Sequence, residues 1–301
     1  MNMNTCIGKI ELDHVIMNAA GVRCITAGDL SDLDNNPGCA AIITKSTTLL
    51  SRRGNELPRY YDTPQLSINS SGLPNLGYKF YAEYHICSKP YIISVSGLTT
   101  EDNITMIKYI SWHKNVDGIE LNLSCPNIEG KSQIGYNFED MDRVLSAVSA
   151  VIAPRLNFGI KLPPYFDIEH FRMAAEIINR YPIDTITCIN SLGNGLVIDP
   201  ETETTRIKPK DGYGGIGGSV IKPIALANVR QFSKLTKCSI IGCGGITCGR
   251  DVYEHLLCGA SAVQIGTEFY KDSLALGRIL LEFAAYIAEK KYITIEHIPR
   301  L

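Results

Sequence analysis

Eight short apolar runs, rich in β-branched residues, recur along the chain and constrain its fold more than any other feature. We predict strands over residues 15–20, 41–45, 91–96, 118–123, 158–162, 185–190, 239–243 and 262–265. Segments with helical spacing lie between them, over residues 101–112, 141–152, 168–180, 225–235, 250–257 and 274–290. The runs are apolar on both faces, as buried parallel strands must be. This alternation predicts an α/β fold with a parallel sheet.

Eight strand-helix units can close into a barrel or form an open doubly wound sheet. An open sheet that binds dinucleotides has a G-x-G-x-x-G string after its first strand, and here Gly21-Val22-Arg23 follows instead. One such string occurs at Gly212, Gly214 and Gly217, but Lys208-Pro209-Lys210-Asp211 precedes it rather than a strand, so we interpret it as a chance match. The prediction is a (β/α)8 TIM barrel that occupies residues 1–301 as a single domain.

The charge balance and the cysteine content limit which classes of partner and which cellular location are expected. Lys and Arg total 29 against 31 Asp and Glu, so no basic field is available for nucleic acid or an anionic membrane. No apolar run reaches the roughly 18 residues that cross a bilayer. Ten cysteines without an N-terminal apolar signal segment predict a reducing, cytoplasmic location. Because no C-x-x-C, H-x-H or H-E-x-x-H spacing occurs, we expect no metal site, and the predicted partners are small molecules.

The predicted strands end in polar residues. In a barrel, the carboxyl ends of the strands carry the chemistry. These ends include Lys45-Ser46, Asn122, Lys161 and Asn190-Ser191, and the last two strands are followed by Gly244-Gly245 and Gly266-Thr267. Bare backbone N–H groups with two nearby lysines predict a bound phosphate-bearing cofactor. The alternative is that the lysines are solvated rim residues and the glycines serve only turns.

Cys125 differs from the other cysteines because it follows the fourth strand and precedes Pro126. Proline biases the preceding residue toward an extended backbone, which can direct the thiol into the mouth of the barrel. The stretch 127–137 lacks core periodicity, and we predict it to be a lid loop over the active site. A thiol near a cation can act as a base near neutral pH, whereas an ordinary buried cysteine is inert.

Asparagines form a second cluster of candidate site residues: Asn69, Asn122, Asn127 and Asn190. An amide presents both a donor and an acceptor edge, which suits a planar heterocycle that carries carbonyl and N–H groups. Asparagine is also a common turn former. Two of these amides end strands of the predicted barrel, where an unpaired amide costs about 1–3 kcal/mol. A small polar ring is therefore favoured over a lipid.

The string Asn122-Leu123-Ser124-Cys125-Pro126-Asn127 resembles the signature of class 1 dihydroorotate dehydrogenases, whose catalytic base is cysteine. Class 2 members use serine and carry a membrane-binding extension. Residues 67–77, 161–167 and 208–218 are similar to class 1A in particular. The resemblance implies oxidation of (S)-dihydroorotate to orotate in de novo pyrimidine (UMP) biosynthesis by an FMN-dependent barrel.

The resemblance also assigns site residues. It implies FMN contacts at Ala20, Lys45, Ser46, Asn122, Lys161, Ile189 and Gly218, with the phosphate at Gly244, Gly245, Gly266 and Thr267. It implies substrate contacts at Lys45, Asn69, Ser70, Ser71, Gly72, Leu73, Asn122, Asn127, Asn190 and Ser191. Cys125 would take the C5 proton while hydride leaves C6 for flavin N5, and Lys161 would stabilise negative charge on the reduced flavin. The catalytic set is therefore Cys125, Lys45 and Lys161.

Class 1A members are cytosolic homodimers that reoxidise their flavin with fumarate at the same site. Two residues depart from that pattern: Ala20 stands where relatives often have serine, and Ser71 where a relative has methionine. A class 1B subunit, which passes electrons to NAD through a partner protein, is one alternative. The other is a barrel that binds a flavin or nucleotide without catalysis, which the presence of Cys125, Lys45 and Lys161 disfavours.

Overall fold

Eight parallel strands form the central sheet of this computed structural model, which describes residues 2–85, 88–124 and 133–301. In chain order the strands are β1 (Ile16–Asn18), β2 (Ile42–Ile43), β3 (Tyr91–Val95), β4 (Gly118–Asn122), β5 (Asn157–Leu162), β6 (Thr185–Cys188), β7 (Ser239–Cys243) and β8 (Ala260–Ile265). From β2 to β8 each strand pairs with the next one in sequence, and β8 also pairs with β1, so β1 and β2 are the two ends of the strand order. All eight predicted strands are confirmed, with ends that differ by at most two residues.

The sheet closes between β1 and β2 through the side chain of Asn18. Its Oδ1 accepts from the Ile43 N–H at 2.9 Å, and its Nδ2 donates to the Ile43 carbonyl at 2.8 Å. The Ala40 N–H also donates to the Ile16 carbonyl at 2.8 Å. A buried amide thus takes the place of a backbone pair, and the eight strands form a barrel as predicted.

Helices cover the outside of the barrel. The described residues contain α1 (Ala27–Asp34), α2 (Tyr78–Glu83), α3 (Thr100–Ile110), α4 (Phe138–Ser149), α5 (Ile168–Ile178), α6 (Lys222–Leu235), α7 (Gly249–Leu257), α8 (Thr267–Lys271) and α9 (Ala275–Glu289). Thr26, Thr99 and Asp167 cap three of them by accepting from backbone N–H groups of the first turn. The six predicted helices are present, whereas α1, α2 and α8 are too short to give a clear helical pattern. Over the described ranges, no helix is both long and apolar enough to span a membrane.

A hairpin that sequence analysis did not predict closes the amino end of the barrel. Its strands, Thr5–Ile7 and Ile10–Leu12, pair antiparallel. Ile7, Ile10 and Leu12 pack against inward-facing residues of the barrel strands to form an apolar cluster. This end of the barrel is therefore sealed, and a ligand has to enter from the other end.

An antiparallel sheet of four strands, here named the upper sheet, rises from the loops after β2 and β6. Its strands are Tyr60–Asp62, Ser67–Asn69, Leu192–Leu196 and Tyr213–Gly217. The glycine string that we interpreted as a chance match lies in and beside the last of these strands, within an antiparallel pairing. Asn69 is the last residue of an inner strand of the upper sheet, and the sheet adds a wall to the open end of the barrel.

Candidate active site

A cavity of about 640 Å³ opens at the carboxyl ends of the barrel strands, under the upper sheet. It brings together every predicted site residue that lies in the described ranges: Ala20, Lys45, Ser46, Asn69, Ser70, Ser71, Gly72, Leu73, Asn122, Lys161, Ile189, Asn190, Ser191, Gly218, Gly244, Gly245, Gly266 and Thr267. Cys125 and Asn127, together with most of the predicted lid loop, lie outside the described residues. These residues come from β4 and β5, from the loops after five other barrel strands and from the upper sheet. Only closure of the barrel makes them neighbours.

Lys161 lies inside the barrel on β5, and only 4% of its surface is exposed. Its Nζ donates to Gln264 Oε1 at 2.9 Å and lies 3.8 Å from Cys243 Sγ. Burial alone lowers the pKa of Lys161, but Cys243 and Glu120 raise it, and the net pKa is above the ordinary value. The alternative of a solvated rim lysine is therefore wrong for this residue, which is an ammonium in the cavity floor.

Lys45 supplies a second cation at the end of β2. Its Nζ lies against Gly21, where an added Cβ would come within 2.9 Å of that nitrogen. Gly21 has a positive φ of 102°, so the chain after β1 turns close around the ammonium. Lys45 and Lys161 thus place two positive charges at one cavity, which favours a ligand that carries or acquires negative charge.

The amides of Asn122 and Asn190 are joined through Ser124. Asn122 Oδ1 accepts from the Ser124 N–H at 3.1 Å and from its hydroxyl at 2.9 Å, and Asn190 Nδ2 donates to Ser124 Oγ at 2.6 Å. Asn122 Nδ2 donates to Ser46 Oγ at 3.3 Å. These contacts set which edge of each amide faces the cavity. Sequence analysis missed Ser124, although its place directly before Cys125 was a usable signal.

Glycines after β7 form one end of the cavity. Gly244 and Gly245 have φ values of 129° and 76°, and a Cβ on Gly245 would lie 2.4 Å from the Cβ of Lys222. Such a backbone presents N–H groups without side chains in front of them. Thr267 adds a hydroxyl that lies 2.9 Å from Ser67 Oγ of the upper sheet. This end of the cavity has the donors that a phosphate group needs.

An ion pair on the side away from the cavity stabilises the segment 244–247, which contains the two glycines. Lys222 Nζ lies 2.6 Å from Asp251 Oδ1, and Asp251 Oδ2 accepts from the Thr247 N–H at 2.8 Å. Burial alone raises the pKa of Asp251, but the hydrogen bonds from Lys222 and Thr247 lower it, and the net pKa is below the ordinary value. The carboxylate thus stays ionised and holds the segment 244–247 in place.

Comparison with known proteins decides the family of this chain. The family model described as Dihydroorotate dehydrogenase matches residues 2–287. The chain belongs to the dihydroorotate dehydrogenase family. "Dihydroorotate dehydrogenase A (fumarate)" of Lactococcus lactis subsp. cremoris (strain MG1363) is 46% identical, covering 97% of this chain and 96% of that relative. "Probable dihydroorotate dehydrogenase A (fumarate)" of Enterococcus faecalis (strain ATCC 700802 / V583) is 45% identical over 95% of this chain and 94% of its own length. The resemblance to class 1A members is therefore confirmed.

The fold agrees with that of a solved dihydroorotate dehydrogenase. The crystal structure of DHODH in complex with ferulenol from Eimeria tenella superposes with a TM-score of 0.80 at 18% identity, covering 99% of this chain and 88% of that chain. At this identity the likeness shows the fold alone. It confirms the predicted fold class independently of the motifs.

Two cavity residues that depart from the class 1A pattern lie on different walls. Ala20 follows β1, whereas Ser71 follows the upper-sheet strand that ends at Asn69. Ser71 Oγ donates to Asn69 Oδ1 at 3.4 Å, and Asn69 Nδ2 donates to the Gly215 carbonyl at 3.3 Å. The hydroxyl at position 71 therefore makes a polar contact that methionine lacks, and it orients a predicted substrate-binding amide.

Proposed function

We propose that this dehydrogenase oxidises (S)-dihydroorotate to orotate in pyrimidine biosynthesis, with FMN as its cofactor and fumarate as the electron acceptor. The observation that supports it best is one cavity in which two ammonium groups, two strand-end amides and a glycine-lined end meet. The amides can bind a neutral ring, and the ammonium groups can stabilise an anion. This combination fits a flavin beside a planar pyrimidine.

The residues at the cavity fit the groups of FMN. Gly244, Gly245, Gly266 and Thr267 would hold the phosphate, and Ala20, Lys45, Ser46, Asn122, Lys161, Ile189 and Gly218 would contact the remainder. The positive φ values of Gly244 and Gly245 bring the backbone close against α6, where an added Cβ would meet Ala225 at 2.9 Å or Lys222 at 2.4 Å. When bound, the flavin supplies the site that accepts hydride. The choice of FMN rather than FAD follows from the class 1A resemblance.

The substrate contacts remain as we predicted them. Asn122 and Asn190 would bind the amide and carbonyl edges of the pyrimidine, and residues 69–73 would cover it from the upper sheet. Lys45 would balance the carboxylate of dihydroorotate. Asn127 and Ser191 complete the proposed set.

Cys125 is the proposed base that takes the proton from C5, while hydride leaves C6 with the electron pair of that C–H bond. The C5–C6 bond gains the pair released at C5 and becomes the double bond of orotate. Lys161 would stabilise the negative charge that develops as hydride arrives, because its ammonium is buried and already oriented. Fumarate, a second small carboxylate, would accept hydride and a proton at the same site to give succinate.

The assembly is also proposed from the class 1A resemblance. Residues 1–301 would act as one cytoplasmic domain in a homodimer, without a partner subunit, nucleic acid or membrane. Near balance of charge, at a net −2, supports small molecules as the main partners. A class 1B subunit would instead pass electrons to NAD through a partner, and it would not turn over fumarate as the purified chain.

Anaerobic mixing of the FMN-loaded protein with dihydroorotate, followed by fumarate, tests the proposal. We expect the flavin absorbance to bleach and then to return on fumarate addition. Cys125→Ser should bleach far more slowly near neutral pH because a hydroxyl is a much weaker acid than a thiol. Failure to take up FMN would refute the proposed function, and equal bleaching by both proteins would remove Cys125 from the role of base.

A further inference from the structure

A buried polar cluster lies beneath the cavity floor and links four barrel strands. It consists of Glu120 on β4, Lys161 on β5, Thr187 on β6 and Gln264 on β8. None of these side chains is more than 4% exposed. Lys161 and Gln264 line the cavity, whereas Glu120 and Thr187 are not among the described residues that do so. The carboxylate therefore lies one layer behind the ammonium.

The hydrogen bonds of this cluster converge on one oxygen of Glu120. Its Oε2 accepts from Gln264 Nε2 at 2.6 Å and from Thr187 Oγ1 at 2.8 Å. Because the Gln264 amide gives its N–H to Glu120, its oxygen points the other way and accepts from Lys161 Nζ at 2.9 Å. Glu120 Oε1 has no hydrogen-bond partner among the described residues. Lys161 is thus connected to a carboxylate through an amide whose orientation that carboxylate imposes.

An isolated ammonium is costly to bury, so Lys161 needs a compensating negative charge to remain protonated at 4% exposure. The other titratable groups that act on it are the thiols of Cys243 on β7 and of Cys24, which follows β1. Burial raises the pKa of both thiols, to about 12 for Cys24, so they are neutral between pH 6 and 9. Glu120 is the carboxyl group among the groups that raise the pKa of Lys161.

We infer that Glu120 is a positioning residue that keeps Lys161 charged and directed at the cavity floor, through the amide of Gln264. This inference rests on the proposed function, in which Lys161 faces the flavin. With Glu120 behind it, Lys161 is already protonated before negative charge develops on the flavin. Without Glu120, Lys161 would take up its proton only when the flavin is reduced.

The test is a redox titration of bound FMN with a chemical reductant, from pH 6 to 9, in the wild-type protein and in Glu120→Gln. The glutamine carbonyl can accept both hydrogen bonds now made to Oε2, and its NH₂ occupies the place of the unpartnered Oε1, so mainly the charge is removed. Subtracting the wild-type potential at each pH cancels the titration of the flavin itself.

In Glu120→Gln we expect Lys161 to lose its proton within this range while the flavin is oxidised, and to regain it when the flavin is reduced. Reduction then takes up an extra proton, and the variant potential falls more steeply as pH rises. The excess should reach about 30 mV per pH unit, which corresponds to a tenfold change per pH unit in a two-electron equilibrium. Glu120→Met, similar in length and uncharged, should show the same excess and replaces Glu120→Gln if that variant forms no holoenzyme.

Three further variants separate charge from packing. Glu120→Asp keeps the charge and should retain the wild-type slope. Asp184→Asn removes a carboxylate at the amino end of the barrel, where it binds Lys9 at 2.8 Å, and should also leave the slope unchanged. In a Lys161→Met background, Glu120→Gln should add no excess slope, because the titrating group is gone.

A potential difference that does not vary with pH would overturn the inference, as would an excess slope that persists in the Lys161→Met background or appears equally in Glu120→Asp. The titration needs bound FMN but no dihydroorotate. A protein that fails to bleach with dihydroorotate yet shows the expected slopes would refute the proposed reaction and leave the role of Glu120 intact.

Discussion

The two ends of the barrel interior differ in chemistry although the same strands build both. On β7, Ile241 belongs to the apolar cluster at the amino end, and Cys243, two residues further on the same face, lines the cavity. On β8, Ala262 and Gln264 show the same change. Two residues of strand span only about 6.6 Å. The transition from apolar core to charged floor therefore occurs within one layer of side chains.

This contrast separates stability from chemistry. At the amino end, Ile7, Ile10 and Leu12 bury apolar surface and so stabilise the fold. The carboxyl end instead contains ionisable groups, whose burial does not favour stability. Substitutions at the two ends should consequently affect different measurements.

The largest expected difference is in the rate of flavin reduction between variants of two lysines, one at each end of the barrel. Lys161→Met at the carboxyl end should slow flavin reduction by dihydroorotate about 10²–10³-fold, because a preorganised cation is lost. Lys9→Met at the amino end, where Lys9 binds Asp184, should leave that rate unchanged. Stopped-flow absorbance measures both. A loss smaller than tenfold in Lys161→Met would mean that the buried ammonium does little for the reaction.

Ile7→Ala should have the opposite effect to Lys161→Met: it should lower stability and leave the rate of flavin reduction unchanged. The side chain is fully buried in the apolar cluster, so its truncation should lower the free energy of unfolding by about 3 kcal/mol through lost burial and a cavity. Flavin reduction at 25 °C should remain at the wild-type rate. Denaturant unfolding followed by fluorescence provides the measurement, and a slowed reaction with unchanged stability would contradict the division between the two ends.

Two buried histidines, one near each end of the barrel, allow the pH dependence of stability to be compared between the ends. Burial lowers the pKa of His255 to about 4, and burial also lowers that of His14 near the amino end. An unfolded chain protonates His255 below about pH 6.5, whereas the folded chain resists this until about pH 4. The free energy of unfolding should therefore fall as pH decreases through this window, by about 3 kcal/mol for His255.

His255→Leu should reduce this acid destabilisation, and His14→Leu should reduce it less because that ring is only partly desolvated. Unfolding measured at pH 4, 5, 6 and 7 tests both variants. Equal acid sensitivity of wild type and His255→Leu would show that other groups cause the loss.

Two strained glycines give the smallest effect. Gly245 and Gly8 both have positive φ, and a Cβ would meet Lys222 at 2.4 Å in the first and Asn157 Oδ1 at 2.1 Å in the second. Each alanine variant should cost about 1–2 kcal/mol of strain. Gly245→Ala should weaken FMN binding in a fluorescence titration, whereas Gly8→Ala should lower only the melting temperature. Equal FMN affinity in the two variants would remove Gly245 from the proposed phosphate end.

Local sequence was sufficient for the strands and for much of the cavity. Apolar β-branched runs predicted all eight barrel strands, because a buried strand must be apolar on both faces wherever it lies. Since parallel strands in a barrel share one carboxyl end, the polar residues at those ends could be assigned to one site before any distance was known. The resemblance supplied their individual roles, which the experiments above test.

Contacts between distant segments could not be predicted in this way. Glu120 and Gln264 are 144 positions apart, and each looks like an isolated polar residue in an apolar run. The amino-terminal hairpin and the upper sheet were missed because their strands have only three to five residues and gain stability from packing on the barrel.

The sequence alone therefore determined the parallel α/β architecture, the eight strands and the polar character of their carboxyl ends, because these follow from hydrophobic periodicity along short stretches. Tertiary structure decided which end is sealed, how the amides and hydroxyls pair, and that Lys161 is buried above a carboxylate. Those properties depend on closure of the barrel, which alone brings β4, β5 and β8 side chains within hydrogen-bonding distance.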